Sequence, residues 1–159
     1  MVLVLLGTQN NDFTRLLKAV QENIDNKVIE DEVVVQAGFT KFDSRDMKIF
    51  DFIDKEKLFE LIDKADLIIT HGGVGSIIAS LKKGKKVIVV PRQKKYGEHV
   101  NNHQLQIAKK FEHDGYVKYA LDLNELGNII LEMKDFKPKK FENNKSNVVS
   151  IVENFIDNN

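Results

Sequence analysis

The residues with most to say about chemistry lie in one run, Thr70-His71-Gly72-Gly73-Val74-Gly75-Ser76. The run follows an apolar strand pattern at Leu67–Ile69 and leads into a helical one. Three glycines let the backbone turn sharply and approach a ligand closely. A helix that starts there offers unpaired N–H groups and the positive end of its dipole, where an anion is stabilised. His71 and Ser76 add side-chain donors, so a phosphate or diphosphate is the natural occupant. A purely structural glycine turn is the alternative, because three glycines alone are a weak signal.

A second run, Pro91-Arg92-Gln93-Lys94-Lys95-Tyr96-Gly97-Glu98-His99-Val100-Asn101-Asn102-His103-Gln104, is a polar loop entering a helix after the next strand. Asn102, His103 and Gln104 can both donate and accept hydrogen bonds, as sugar hydroxyls require. From Lys82 to Lys95 there are seven basic residues and no acidic one. That field suits a diphosphate or an anionic membrane surface, although Lys82, Lys83, Lys85 and Lys86 read first as a solvated face. His99 and His103 are spaced i, i+4, but a zinc site needs a third ligand and the His-Glu-x-x-His order is absent. Asp-x-Asp is absent too, so no metal is expected. Gly73-x-Gly75-x-x-Ile78 has only the first two glycines of a dinucleotide fingerprint. Where that fingerprint needs an acidic residue, the chain has Lys94, Lys95 and Tyr96, and no nicotinamide cofactor is expected. His113, late in a helical pattern, reads as a partner of that helix's dipole.

These runs need a scaffold, and the chain's patterning supplies one. Val2–Leu6, Val33–Val35, Leu67–Ile69 and Val87–Val90 are continuous apolar runs, the signature of strands covered on both faces. A further short strand is expected at Ile49–Ile53. Helical stripes lie between them: Phe13, Leu16, Leu17 and Val20; Leu58, Leu61 and Ile62; Ile77, Ile78 and Leu81; Leu105, Ala108 and Phe111. Asp122 with Glu125 has the spacing of a capping box ahead of Leu126, Ile130 and Met133. Such alternation predicts an α/β domain, Rossmann-like, with a mostly parallel sheet flanked by helices. Residues 1–133 are assigned to it, 134–145 to a polar connector, and 146–159 to an amphipathic C-terminal helix carrying Val148, Val149, Val152, Phe155 and Ile156. That helix serves either as a latch on its own domain or as a partner site.

Composition narrows the function classes. With 159 residues the chain has room for one domain. Its 24 basic and 24 acidic residues cancel, so no global field favours nucleic acid. Without cysteine there is neither a thiolate nucleophile nor a disulfide frame. The opening apolar stretch stops at Gly7, short of a signal peptide, and a cytoplasmic protein is expected.

Four blocks together carry a resemblance. Gly7-Thr8-Gln9 with Phe13–Leu17, Val35–Thr40, Thr70–Ser76, and Pro91-Arg92 with Glu98–Gln104 resemble the C-terminal, donor-binding domain of family-28 glycosyltransferases. Within it they are similar to the soluble subunits of split transferases. One branch of these adds the second N-acetylglucosamine to dolichol-linked glycans. The nearer branch is PssE-like, from bacterial capsule and exopolysaccharide assembly.

The resemblance implies half of a GT-B enzyme using a UDP-sugar as substrate rather than a cofactor. It implies Gly7, Thr8, His71, Gly72, Gly73, Gly75 and Ser76 at the donor diphosphate, and Asn102, His103 and Gln104 at the donor sugar. His103 stands where two-domain relatives carry Asp. The ribose-binding glutamate of those relatives is missing, since Ile77 and Ala79 occupy its candidate positions. Inverting, metal-independent transfer of a hexose is implied, with Glu98 and His99 as weak candidates for the general base. The missing half would be a membrane-anchored subunit that gathers a lipid-linked sugar acceptor and draws this chain to the inner face of the membrane. A non-catalytic adaptor that enhances a membrane transferase is the alternative.

Overall fold

The computed structural model describes residues 1–142. The C-terminal segment assigned to a helix lies outside the described residues. Strands and helices alternate: β1 (Val2–Leu5), α1 (Thr14–Asp25), β2 (Val33–Gln36), β3 (Met47–Phe50), α2 (Lys55–Lys64), β4 (Leu67–Thr70), α3 (Val74–Lys82), β5 (Lys86–Val89), α4 (His103–His113), β6 (Lys118–Tyr119) and α5 (Leu126–Glu132). The strands form one parallel sheet in the order β3-β2-β1-β4-β5-β6.

The apolar runs become strands because both faces of the sheet are covered. Val2, Val4 and Leu6 point into one layer with Leu16, Leu17 and Val20 of α1 and Leu126 and Ile130 of α5. Leu3 and Leu5 point into the other, against Ile62 of α2, Ile77 and Leu81 of α3, and Phe111 of α4. This is the doubly wound arrangement expected from the sequence. No helix among the described residues is long and apolar enough to cross a membrane.

Some local expectations shift. The edge strand β3 lies at Met47–Phe50 rather than Ile49–Ile53, because its register on β2 pairs Val33 with Met47 and Gln36 with Phe50. The Asp122–Glu125 pair does not close a capping box. Asp122 accepts from the Asn124 amide at 2.9 Å within a short 3₁₀ turn, while Glu125 accepts from the Asn128 side chain. In the polar stretch 134–142, Phe141 packs edge-on against Tyr116 with ring centres 5.4 Å apart. The Lys139 amide donates to the Gly115 carbonyl, so this part of the connector lies against the domain.

The strand order sets the place of the site. β1 sits at the centre, with β2 on one side and β4 on the other. The chain runs outward to β3 and then crosses back to β4. The loops leaving β1 and β4 therefore diverge at the carboxyl edge and open a crevice between them.

Candidate functional site

That crevice is a cleft of about 300 Å3 lined by Gly7 and Thr8 after β1, His71 and Gly73 after β4, and Gly75 and Ser76 in the first turn of α3. The fold thus gathers six of the seven residues expected at a diphosphate. Gly72, the seventh, lies just behind the lining and is buried. Val74, Gly75 and Ser76 are the first residues of α3, and no side chain caps its start. Their N–H groups have no carbonyl within the helix to bind.

His71 forms the floor. It is 7% exposed, and a Cβ built on Gly7 would stand 2.5 Å from its Nε2. A Cβ on Gly73 would strike the Cε1 of the same ring. The backbone turns after β1 and β4 therefore close directly on the imidazole, which only glycine permits. Gly7 also has φ +81°, a left-handed conformation that costs glycine little. Gly72 is glycine for a different reason: its Cβ would meet Gln104 backbone and side-chain atoms at 2.6–3.0 Å. A Cβ on Gly75 would meet nothing within 4 Å outside its chain neighbours and the backbone of its own helix.

Two buried glutamines hold these turns. Gln36, at the end of β2, accepts from the Gly7 amide at 3.2 Å and donates to the carbonyls of Gly7 and Asp51. Gln104, in the first turn of α4, accepts from the amides of Gly72 and Arg92, both at 3.0 Å. Its amide nitrogen lies 3.1 Å from His71 Nδ1. Gln104 was expected at the sugar, yet it is 6% exposed and every polar atom of its side chain already has a partner in the protein.

The loop after β5 is tied down by arginines. Arg92 is fully buried and donates to the carbonyls of Leu6, Asn11 and Glu98 at 2.8–3.0 Å. Glu98, a candidate base, is 2% exposed and grips Arg15 through both carboxylate oxygens at 2.8 and 2.9 Å. It also accepts from the Gln93 amide. A carboxylate so engaged has no free face for an incoming hydroxyl. His99 is half-buried and accepts from the Asn101 amide through Nδ1. Asn102 is exposed and accepts from the Lys94 amide, and His103 is half-buried at the start of α4. None of Glu98, His99, Asn102 and His103 lines the cleft over His71. Of the positions expected for a ribose contact, Ile77 is buried in the core and Ala79 faces a neighbouring apolar groove between α2 and α3.

Sequence reasoning missed Gln36 and Arg92 as parts of the site. Both are polar residues at or just past the carboxyl end of an apolar strand, and that position was the available signal.

Burial pulls the His71 pKa from 6.5 down to about 4, with the Arg92 charge adding to the effect. Burial and Arg92 lower His99 as well. The unfolded chain therefore binds a proton at His71 between pH 6.5 and about 4 that the folded chain refuses. Stability is full above pH 6.5 and falls as the pH drops toward 4, by on the order of 3 kcal/mol from this residue. Urea unfolding at about pH 7.5 and about pH 4.5 checks the sign: the native chain should lose about 2 kcal/mol more than His71→Asn. Equal losses in the two proteins would remove His71 from the acid sensitivity.

The family model for the glycosyltransferase family 28 C-terminal domain matches residues 1–158. The UDP-N-acetylglucosamine transferase subunit ALG13 of Homo sapiens is 45% identical over 66 residues, 42% of this chain and 6% of that protein. The UDP-N-acetylglucosamine--N-acetylmuramyl-(pentapeptide) pyrophosphoryl-undecaprenol N-acetylglucosamine transferase of Clostridium botulinum is 29% identical over 150 residues, 90% of this chain and 34% of that one. The NMR solution structure of ALG13 has the same fold, with a TM-score of 0.60 at 23% identity, covering 98% of this chain and 96% of that chain. The chain spans less than half the length of these two curated relatives.

Proposed function

Because the chain belongs to the glycosyltransferase family 28 C-terminal domain family, we propose that it binds the diphosphate of a UDP-sugar and acts as one subunit of a two-component glycosyltransferase. The observation that carries this reading is the cleft between β1 and β4, where two glycine turns and the start of α3 converge on a neutral, buried histidine. Backbone N–H groups at a helix start bind a diphosphate in its ground state and stabilise the charge that grows on it as it departs.

In the proposed reaction an acceptor hydroxyl attacks the anomeric carbon. The new C–O bond forms as the bond to the diphosphate breaks, with inversion and without a metal. UDP leaves, and the hydroxyl proton passes to a base. Glu98 is committed to Arg15 and His99 lies outside the cleft lining, so the partner subunit is proposed to supply the base. The partner is further proposed to be membrane-anchored, to gather a lipid-linked sugar acceptor and to bring this chain to the inner, cytoplasmic face of the membrane. The names of the relatives favour N-acetylglucosamine as the sugar. Transfer of a hexose, and a role in capsule or exopolysaccharide assembly, rest on the sequence resemblance alone.

Titration calorimetry of the purified chain with UDP, UDP-N-acetylglucosamine, UDP-glucose, UDP-galactose, UDP-glucuronate and NAD tests the first half. UDP and at least one UDP-sugar should bind, and NAD should not. A folded chain that binds no uridine nucleotide would favour the adaptor reading. Transfer should be weak from the isolated chain and rise strongly on co-expression with a membrane-anchored partner. Full transfer by the isolated chain would refute the two-component reading.

A further inference from the structure

Resting on the donor-site reading above, we propose that Gln104 is a positioning residue that locks His71 in the neutral tautomer with its proton on Nε2. An N–H donor, rather than a lone pair, then faces the donor diphosphate.

Two backbone groups fix which way the Gln104 amide faces. The amides of Gly72 and Arg92 both point at one atom of the Gln104 side chain, each at 3.0 Å. A backbone N–H can only donate, so that atom is the carbonyl oxygen Oε1. A flipped amide would set an NH2 group against two N–H donors in a buried place. The other end of the side chain is therefore the NH2 group, 3.1 Å from His71 Nδ1. Because Nε2 of Gln104 donates, Nδ1 of His71 must accept, and a neutral imidazole that accepts at Nδ1 carries its proton on Nε2. That Nε2 lies beneath Gly7 and 3.5 Å from the Ser76 hydroxyl, at the floor of the cleft.

The surroundings keep the ring from taking a second proton. Arg92, from the loop after β5, and His99, from the loop before α4, both act against it, and so does burial. The Glu98 carboxylate, which could have drawn a proton in, is held by Arg15. Ser76, from α3, brings no charge. The result is a donor whose state does not change across the neutral pH range. Its aim is set by turn amides that also shape the site, so one glutamine couples the backbone cradle to the side chain at its base.

Gln104→Glu separates this role from a packing role. The carboxylate can still accept from the Gly72 and Arg92 amides, but it offers His71 Nδ1 only an acceptor. The ring must then place its proton on Nδ1, leaving a lone pair toward the diphosphate, or take up a second proton. Imidazole nitrogen NMR on the free native chain should show the Nε2–H tautomer for His71, with affinity for UDP-N-acetylglucosamine, whose diphosphate does not titrate there, flat between about pH 6 and 8. In Gln104→Glu the same spectrum should show the Nδ1–H form at about pH 8. UDP-N-acetylglucosamine should bind at least tenfold more weakly there and recover as the pH falls to about 6. An Nδ1–H tautomer in the native chain overturns the proposal without any variant. So does a folded Gln104→Glu protein with native tautomer and pH-flat affinity. A native chain with the Nε2–H tautomer that binds no UDP would instead overturn the donor-site reading, and that outcome is distinct because the tautomer is read without ligand.

Discussion

Gly75→Val is expected to fold normally and to lose at least a hundredfold in UDP affinity. The four glycines of the site have separate physical reasons, and this one is set apart. Side chains at Gly7 and Gly73 would collide with the His71 ring, and at Gly72 with Gln104, so substitutions there disturb the protein before any ligand arrives. A Cβ built on Gly75 meets no atom within 4 Å beyond its chain neighbours and the backbone of its own helix. Gly75 is exposed in the first turn of α3 and lines the cleft. Glycine is a poor helix former, so Gly75→Ala should stabilise the protein by up to about 1 kcal/mol. Valine there leaves the fold intact but occupies the space through which a diphosphate approaches the N–H groups of α3. Losing two charge-assisted hydrogen bonds of about 1.5–3 kcal/mol each accounts for a hundredfold or more. Thermal melting and UDP titration of Gly75→Val, Gly75→Ala and Gly73→Val check the separation. Gly73→Val should melt lower, and Gly75→Val should melt like the native chain while failing to bind. Native UDP affinity in a folded Gly75→Val protein would show that the cleft does not hold the diphosphate.

The fold was legible because parallel strands buried on two faces must be apolar throughout. Val2–Leu5, Val33–Val35, Leu67–Ile69 and Val87–Val89 could hardly be anything else. The edges were harder. β6 is two residues long, Lys118 and Tyr119, too short to carry a period, and β3 ends half-exposed. The glycine run was legible as a close approach of backbone to something. Its spacing could not say that for Gly7 and Gly73 the something is the imidazole of His71.

Polar residues were the hardest to assign. Gln104 and Glu98 have side chains suited to a sugar hydroxyl or a proton in transit, and only the three-dimensional pairing shows those groups already engaged. Glu98 is matched by Arg15, 83 positions away, and Gln104 by the amides that flank two different strands. Sequence spacing carries no information about such partners. Their side chains hold backbone instead: Gln104 the amides of Gly72 and Arg92, and Glu98 the amide of Gln93.

Arg92→Met is expected to destabilise the protein by about 3 kcal/mol and to weaken UDP binding with it. The Arg92 guanidinium is wholly buried, stacked over the Phe13 ring at 4.8 Å, and burial draws its pKa down to about 10 despite the opposing pull of Glu98 and Asp12. It remains charged at neutral pH. Its three donated bonds end on carbonyls of Leu6 just past β1, Asn11 in the loop to α1, and Glu98 in the loop after β5. These segments lie up to 86 positions from Arg92 in the chain, and no backbone ladder joins them. Methionine fills much of the space but leaves three carbonyls without a donor, each worth about 1–3 kcal/mol when buried, less whatever relaxation recovers. Arg92→Lys should restore under half of the loss, since one ammonium on a flexible stem cannot match a planar fork aimed at three oxygens. Because Leu6 precedes the Gly7 turn, loosening it lets that turn drift from the His71 ring and degrades the cleft. Urea unfolding and UDP titration of both variants measure the two effects together. An Arg92→Met protein within about 1 kcal/mol of the native chain would mean that the loops hold their places without the buried charge.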